Sequence, residues 1–193
     1  ASRDRLERRL TQLRRDTLRL MAAVDDACLR DDLASGALLL DLQDFALADL
    51  LADVGEPIEA FEPDRLELAY DPDLIVRADP ILTRRLVWFL IVNALRATPE
   101  SADPVWLDAR RGNGRVELRV RDHGAAIPEE MGAQLFEPRA RLSGTVSWPR
   151  YGLGRGLVSG RDVARRMSGD LRIETASEGN VFVLALPDGE CAS

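Results

Sequence analysis

Apolar residues recur at alternating intervals of four and three positions along the first part of the chain, which predicts a long helix with one narrow apolar stripe. The stripe consists of Leu6, Leu10, Leu13, Thr17, Leu20, Val24 and Ala27. Leu18, Met21 and Leu29 lie beside it and widen it, which favours a bundle of several helices over a two-stranded coiled coil. A helix that packs only on its own domain is the open alternative. The Ser35-Gly36 pair predicts the end of this helix.

The next part of the chain alternates between short apolar runs and turn residues. Residues 38–42 predict a short strand, and residues 47–54 predict a helix that ends at Gly55. Between residues 65 and 78, polar and apolar positions alternate well enough to predict two short strands, one on each side of Asp71-Pro72.

A strongly apolar helix is predicted from Pro80 to Ala97. Asp79 is suited to cap its N-terminus, and Pro80 suits its first turn, where a missing backbone donor does no harm. The helix is apolar almost all round between Leu86 and Leu95, so we expect it to be buried.

Two hairpins and one more helix complete the pattern. Residues 105–110 and 116–121 flank Gly112-Asn113-Gly114, and residues 171–175 and 181–186 flank the turn 177–180. Gly and Asn accept positive φ in tight turns, so both pairs predict antiparallel hairpins, while residues 157–167 predict a helix. The pattern as a whole predicts an α+β sandwich, in which a mixed, mostly antiparallel sheet is covered by helices on one face and preceded by a long helix.

Composition and charge exclude several classes of protein. With 193 residues, 46% hydrophobic and 31% charged, the chain is long enough for one sizeable core. A net charge of −7 argues against general attraction to nucleic acid, and no apolar run approaches the roughly 18 residues that span a bilayer. Cys28 and Cys191 give no support for a disulfide framework or a metal site, which fits a reducing cytosol. We therefore expect a cytoplasmic chain whose membrane contact, where it has one, comes from regions outside it.

Asn93 is the first candidate for chemistry, because it shares one face of the apolar helix with Leu82, Leu86 and Phe89. A buried amide needs partners, and these are either nearby backbone groups or a Mg²⁺ ion, which takes few protein ligands and completes its shell with water and phosphates. Arg96 follows about one turn later and is placed to reach the same phosphates or to end the helix in solvent.

Asp122 and Gly124 form the second candidate, where a strand gives way to a turn. The Asp122 carboxylate only accepts hydrogen bonds, so it suits an amino group of a purine, and Gly124 offers backbone without a side chain. An Asp in an Asx-turn is the open alternative. His123, the only histidine, is expected to point away from the pocket that its neighbours face.

Gly152, Gly154 and Gly156 form the third candidate, directly before the predicted helix 157–167. Backbone donors at a helix start can bind phosphate oxygens, with the helix dipole in favour. A flexible hinge is the open alternative. Arg139, Arg141, Trp148, Arg150 and Tyr151 lie between the two turns without a clear period, which is typical of a lid.

Taken together, these motifs resemble the ATP-binding catalytic domain of sensor histidine kinases, within the superfamily of gyrase, heat-shock chaperone and mismatch-repair ATPases. LVWFLIVNALRATP (86–99) is similar to the family's N box, VRDHGAAIP (120–128) to its first glycine box, LFEP (135–138) to its Phe box and GLGRGL (152–157) to its second glycine box. The resemblance implies that Asn93 binds Mg²⁺, that Arg96 replaces a phosphate-contacting Lys and that Asp122 binds the adenine amine. The implied ATP-binding set is Asn93, Arg96, Asp122, Gly124, Ala126, Ile127, Phe136, Gly152, Leu153, Gly154, Arg155, Gly156 and Leu157.

The same resemblance implies a domain division and partners. Residues 1–36 correspond to part of the dimerisation and phosphotransfer domain, namely its second helix, and residues 37–193 to the ATP-binding catalytic domain. It implies a homodimer formed through the helical region and a response regulator receiver domain as the protein that takes up the phosphoryl group.

Four departures from the family pattern qualify these expectations. No histidine lies in the helical region, so the phosphoacceptor must lie outside this chain, and we do not expect the chain alone to autophosphorylate. Phe89 stands where gyrase-like relatives place a catalytic Glu, which disfavours hydrolysis but not transfer to a protein group. Ala126 replaces a Gly of the first glycine box, and Ala97 replaces an aromatic residue.

The function expected is therefore the catalytic core of a two-component sensor kinase that uses ATP and Mg²⁺. The alternative is a degenerate scaffold or phosphotransfer protein that binds a response regulator without using ATP, which Ala97 and Ala126 favour and Asn93 and the three glycines oppose. An anti-sigma-factor kinase of the same superfamily is weakened by the long helix before the domain.

Overall fold

The computed structural model describes residues 2–36, 38–132, 134–137, 156–176 and 178–190. The helices in these ranges are α1 (Ser2–Ser35), α2 (Leu47–Phe61), α3 (Pro80–Ala97), α4 (Glu129–Gly132) and α5 (Gly156–Arg166), and a 3-10 turn, called the Phe136 turn below, covers Gln134–Phe136. The strands are β1 (Gln43–Ala46), β2 (Leu66–Tyr70), β3 (Ile75–Ala78), β4 (Val105–Gly112), β5 (Arg115–Asp122), β6 (Asp170–Thr175) and β7 (Asn180–Pro187).

A five-stranded mixed sheet in the order β2-β4-β5-β7-β6 forms the centre of the fold. Only its β2–β4 pair is parallel, while β4–β5, β5–β7 and β6–β7 are antiparallel. Leu107, Leu118 and Leu184 face the helices and are fully buried, whereas Trp106 on the other face is 44% exposed. The α+β sandwich with helices on one face is thus confirmed. None of the described helices is long and apolar enough to cross a membrane.

The start of α3 follows the prediction, because the capping signal is local. Asp79 Oδ1 accepts hydrogen bonds from the backbone nitrogens of Ile81 and Leu82, each at 3.0 Å. Its other oxygen, Oδ2, accepts one from Asp41 N at 3.0 Å, which ties the chain before β1 to the helix start. The helix is buried along most of its length, as its apolar sequence predicts.

The strand predicted at residues 38–42 is wrong, since the strand in this region is β1, Gln43–Ala46. β1 pairs antiparallel with β3, and Gln43 opposite Ala78 is the last pair of the ladder. β3 stops there because Asp79 begins the cap of α3, so residues 38–42 have no strand partner among the described residues. A strand needs a neighbour, and the apolar run alone does not supply one.

The prediction that a helix over 47–54 ends at Gly55 is also wrong, because α2 continues through Gly55 and Pro57 to Phe61. A side chain at Gly55 would begin 3.1 Å from Leu68 Cδ1, so this glycine allows α2 to approach β2 closely. Beyond it, Ile58 is fully buried. Tertiary burial therefore outweighs the cost of about 1 kcal/mol for Gly and about 3 kcal/mol for Pro inside a helix.

The two predicted hairpins are confirmed. Asn113 and Gly114 have positive φ values of 52° and 70° in the turn between β4 and β5. Gly179, with φ of 67°, precedes β7, and a Cβ built on it would lie only 1.8 Å from the carbonyl oxygen of Asp122. The second turn therefore requires glycine for both conformation and space.

α1 ends as predicted, at Ser35, followed by Gly36 with φ of 67°. Its last turns contact the domain, since Leu29 is buried and Asp32 pairs with Arg85 of α3 at 3.8 Å. The apolar stripe further forward is exposed, at 46% to 68% for Leu6, Leu10, Leu13, Leu20 and Val24. The division into residues 1–36 and 37–193 stays a prediction.

Candidate nucleotide site

Asp122, the last residue of β5, is fully buried, and its two oxygens have different surroundings. Oδ1 accepts hydrogen bonds from Gly124 N at 2.8 Å and from Asn180 Nδ2 at 2.9 Å. Oδ2 is buried without a hydrogen-bond partner among the described residues. Leaving a buried acceptor without a hydrogen bond costs free energy of folding. The fold therefore fixes one oxygen of the carboxylate, and the other is suited to a hydrogen-bond donor from a ligand.

Burial raises the pKa of the Asp122 carboxyl above its ordinary value, although the hydrogen bonds from Gly124 and Asn180 act in the opposite direction. The dominance of burial means that the ionised form is disfavoured in the folded protein. A donor placed on Oδ2 would relieve this cost.

Asn180 is a site residue that sequence reasoning missed. It is opposite Asp122 in the β5–β7 register, and besides its bond to Asp122 its Nδ2 donates to the carbonyl oxygen of Ala125 at 3.1 Å. Its Oδ1 accepts from Ile127 N at 2.8 Å. One amide therefore fixes the loop 122–127 at three points. The sequence signal for Asn180 is its place at the end of the second hairpin, which on its own predicts a turn residue.

His123, the neighbour of Asp122, contacts the chain just before β4, and its orientation relative to the pocket stays a prediction. Its Nε2 lies 3.2 Å from the carbonyl oxygen of Pro104, and its backbone N donates to Thr98 Oγ1 at 3.0 Å. Thr98 is the C-terminal cap of α3, so this bond connects the end of the Asn93 helix to the loop that carries Asp122.

Asn93 is 7% exposed on α3, and its Nδ2 atom is buried without a hydrogen-bond partner among the described residues. Among the described residues, the backbone near Asn93 therefore leaves its amide nitrogen available for a partner. Phe89, one turn earlier, packs against the core, and Arg96 is half-buried about one turn later. Ala97 is buried at 6% exposure.

α5 and the Phe136 turn adjoin this region. α5 begins at Gly156, and Leu157 is 1% exposed. α5 approaches α3 so closely that a Cβ at Gly160 would lie 3.3 Å from Leu86 Cδ2. Phe136 is half-buried, with the guanidinium carbon of Arg161 at 4.9 Å from its ring centroid.

The remaining predicted residues lie outside the described ranges. These are Gly152, Leu153, Gly154 and Arg155 of the second glycine turn, and Arg139, Arg141, Trp148, Arg150 and Tyr151 of the predicted lid. Gly124, Ala126 and Ile127 are described, with Ala126 exposed and Ile127 buried at 8%. The structure thus places Asn93, Asp122 and the start of α5 on elements that contact one another, since α3 packs against both β5 and α5.

The part of the chain that contains these residues is similar to known proteins. Residues 78–190 match the family described as Histidine kinase-, DNA gyrase B-, and HSP90-like ATPase. The chain is 38% identical over 127 residues to the sensor protein KdpD of Rathayibacter rathayi, covering 65% of this chain and 14% of KdpD. It is 26% identical over 183 residues to the signal transduction histidine-protein kinase BarA of Escherichia coli strain K12, covering 90% of this chain and 20% of BarA.

Solved structures share the fold as well. Full-length ShkA in complex with AMPPNP superposes with a TM-score of 0.70 at 24% identity, over 95% of this chain and 39% of ShkA. The chain spans only 14% and 20% of the length of the two curated relatives, so what those whole proteins do concerns much more than this chain.

Proposed function

The chain belongs to the family of histidine kinase-, DNA gyrase B- and HSP90-like ATPases, and we propose that it is the ATP-binding catalytic part of a two-component sensor histidine kinase. In this role it binds ATP with Mg²⁺ and delivers the γ-phosphoryl group to a histidine outside this chain. The observation that carries the proposal is that Asn93 and Asp122 each bury a polar atom without a partner among the described residues.

Asp122 Oδ2 would accept a hydrogen bond from the exocyclic amine of adenine. Its partner oxygen already holds Gly124 and Asn180, so the loop is formed before the nucleotide arrives. The pairing of a donor with this buried oxygen accounts for specificity, because a base with a carbonyl at the same position would put two acceptors together.

The residues fit Mg²⁺ through Asn93. The described residues contain no cluster of three acidic, His or Cys side chains that could hold a metal, so the ion would depend on few protein ligands and on the phosphates. Asn93 Oδ1 would bind Mg²⁺ and Nδ2 would donate to a phosphate oxygen, with Arg96 and the glycine turn 152–156 contacting the phosphates. When bound, the ion would supply positive charge that offsets the charge of the phosphates.

The acceptor of the phosphoryl group is a histidine rather than water. Phe89 offers no carboxylate to activate water, and its ring packs against the core. In the transfer, the lone pair of an imidazole nitrogen of the acceptor forms a bond to the γ-phosphorus, and the bond from that phosphorus to the bridging oxygen breaks. The electron pair stays on that oxygen, ADP is the leaving group, and the remaining N–H proton of the phosphorylated imidazole passes to solvent. The only histidine of the chain, His123, faces Pro104, so the acceptor belongs to another segment or chain.

The same proposal includes partners and location. The exposed stripe of α1 suits a homodimer through the helical region, and a response regulator receiver domain would take up the phosphoryl group. We expect the chain to be cytoplasmic, with membrane contact only through regions outside it. A scaffold that binds a response regulator without ATP is the second candidate, favoured by Ala97 and Ala126.

Calorimetry with Mg-ATP tests the proposal. Asp122→Ala and Asn93→Ala should each weaken binding roughly tenfold or more, because hydrogen bonds to charged groups contribute about 1.5 to 3 kcal/mol. Asp103→Ala is the matched control, since Asp103 is exposed before β4, and it should bind as the wild type does. A folded wild-type chain that gives no heat at millimolar nucleotide would refute ATP binding and support the scaffold.

A further inference from the structure

Arg161 of α5 has its guanidinium held between a carboxylate and an aromatic ring. Nε donates to Asp170 Oδ1 at 2.9 Å and Nη2 to Oδ2 at 3.2 Å. The guanidinium carbon lies 4.9 Å from the centroid of the Phe136 ring. A two-point bond to a carboxylate fixes the plane of a guanidinium, so its stacking on the ring is oriented rather than incidental. One side chain thus joins α5, β6 and the Phe136 turn.

Apolar contacts hold the Phe136 turn and the end of α4 before it. Leu135 is 9% exposed, and a Cβ at Gly132 would lie 3.1 Å from Ile173 Cγ2, so the segment approaches β6 closely. Among the described contacts of the Phe136 ring, Arg161 provides the cation–π pair, which is partly buried with the Arg161 side chain 25% exposed. Desolvation strengthens such a pair compared with one in open solvent.

Asp170 is available as an ionised anchor. Burial alone would raise the pKa of its carboxyl, but the hydrogen bonds and charges of Arg161 and then Arg165 lower it below the ordinary value. Arg165 Nε also reaches Asp170 Oδ1, at 3.2 Å. Arg165 is 59% exposed, and no ring contact is found for it among the described residues, so it shares the carboxylate but not the aromatic contact.

We propose that Arg161 is a positioning residue for nucleotide binding, which holds the Phe136 turn against α5. This inference rests on the proposed function, under which Phe136 and the start of α5 both belong to the ATP site. Holding the two elements together before the nucleotide arrives reduces the conformational entropy lost on binding. A merely structural surface ion pair would instead contribute little and would not favour Arg161 over Arg165.

The test compares four single variants and one double variant of the full chain with the wild type, by calorimetry with Mg-ADP. Arg161→Gln and Phe136→Leu should each weaken ADP binding about two- to tenfold. The double variant should bind ADP no more weakly than the worse single variant, because each single change already removes the contact between the guanidinium and the ring. Arg161→Lys keeps the charge without the fork and should recover part of the loss. Arg165→Gln, which loses a bond to the same Asp170 oxygen, should bind as the wild type does.

Stability and exchange measurements separate positioning from folding. In urea, Arg161→Gln should lower the unfolding midpoint more than Arg165→Gln, because it loses two bonds to Asp170 and the ring contact. Calorimetry under conditions where both variants are fully folded should show changed ADP affinity in Arg161→Gln only. Amide hydrogen exchange of residues 134–137 in the nucleotide-free chain should be faster in Arg161→Gln than in Arg165→Gln. Phe136→Leu keeps most of the apolar volume and tests the same contact if Arg161→Gln folds poorly.

Three results would overturn the inference: wild-type affinity in Arg161→Gln, an equal loss in Arg165→Gln, or additive losses in the double variant. A wild-type chain that binds no nucleotide refutes the proposed function instead. In that case the exchange of residues 134–137 still decides, because equal rates in the Arg161 and Arg165 variants would show that Arg161 does not hold the Phe136 turn.

Discussion

Replacing Asp122 by asparagine should make the nucleotide-free protein more stable while removing nucleotide binding. The carboxyl is fully buried, and burial raises its pKa in the folded state above the ordinary value of 3.8. An acid whose pKa is higher in the folded than in the unfolded state stabilises the fold in its protonated form, and this contribution is fully present below the unfolded pKa. The contribution is lost as the pH rises through the folded pKa, so at neutral pH the ionised carboxylate destabilises the fold.

The size of the gain follows from the two oxygens. The Asn Oδ1 can keep both hydrogen bonds, from Gly124 N and Asn180 Nδ2, while a neutral Nδ2 replaces the charged Oδ2 that has no partner among the described residues. An unsatisfied buried group costs about 1 to 3 kcal/mol and more when charged, so Asp122→Asn should raise the free energy of unfolding by about 1 kcal/mol. For a chain of this length, that is about 2 to 4 °C in Tm.

Asp122→Ala provides the matched contrast. It removes the same charge but also leaves Gly124 N and Asn180 Nδ2 without their acceptor, so it should lower the free energy of unfolding by about 1 to 3 kcal/mol. Both variants should lose ATP affinity, since the Asn amide nitrogen would face the adenine amine, with a donor against a donor.

Urea unfolding between pH 3.5 and about 8, followed by circular dichroism, measures the effect, and calorimetry with Mg-ATP measures binding. The stability difference between Asp122→Asn and the wild type should be largest near neutral pH. It should shrink as the pH falls through the raised folded pKa and be smallest below 3.8, where Asp122 becomes protonated in both states. An Asn variant that is less stable than the wild type at pH 7, or a difference that acid does not reduce, would refute the reasoning.

Three further predictions concern the loop and the helix. Asn180→Ala should lower the free energy of unfolding by about 2 to 3 kcal/mol in urea and weaken ATP binding, because it leaves the buried Ile127 N without its acceptor; an unchanged urea midpoint would contradict the bonding described for it. Ala126→Gly should tighten ATP binding several-fold and lower stability by up to about 1 kcal/mol; equal or weaker affinity in a side-by-side titration would show that the methyl group is accommodated. The exposed stripe of α1 should produce a weak, concentration-dependent dimer in sedimentation that Leu13→Asp abolishes, and a monomer at all concentrations would count against the bundle interpretation.

Elements with local signals could be predicted from the sequence. α3 has its cap at Asp79 and its apolar residues within one segment, and the β4–β5 turn has Asn113 and Gly114 where positive φ is needed. In both cases the residues that decide the conformation are neighbours along the chain, so the pattern contains what is needed.

Elements whose bounds depend on partners far away in the sequence could not be predicted. β1 begins at Gln43 because β3 ends opposite it, and the apolar run before it gives no sign of where that partner lies. α2 passes Gly55 because the glycine meets Leu68 of β2 and because Ile58 is buried beyond it. Local propensity predicts a break at Gly55 and Pro57, and only the tertiary packing overrides it.

The candidate site divides in the same way between ligand-facing residues and their supports. The motif around Asp122 is compatible with two interpretations, an Asx-turn and an acceptor for a purine amine, and the two oxygens of the carboxylate have different surroundings in the structure. Oδ1 forms the turn with Gly124, while Oδ2 has no partner among the described residues, so the two roles do not compete. Asn180 holds Oδ1 in place by a hydrogen bond. It is 58 positions from Asp122 along the chain and lies next to it only because β5 pairs with β7. Sequence motifs can therefore suggest which side chains face a ligand, but the residues that hold them in place follow from strand pairing, and Asn180 could be found only in the fold.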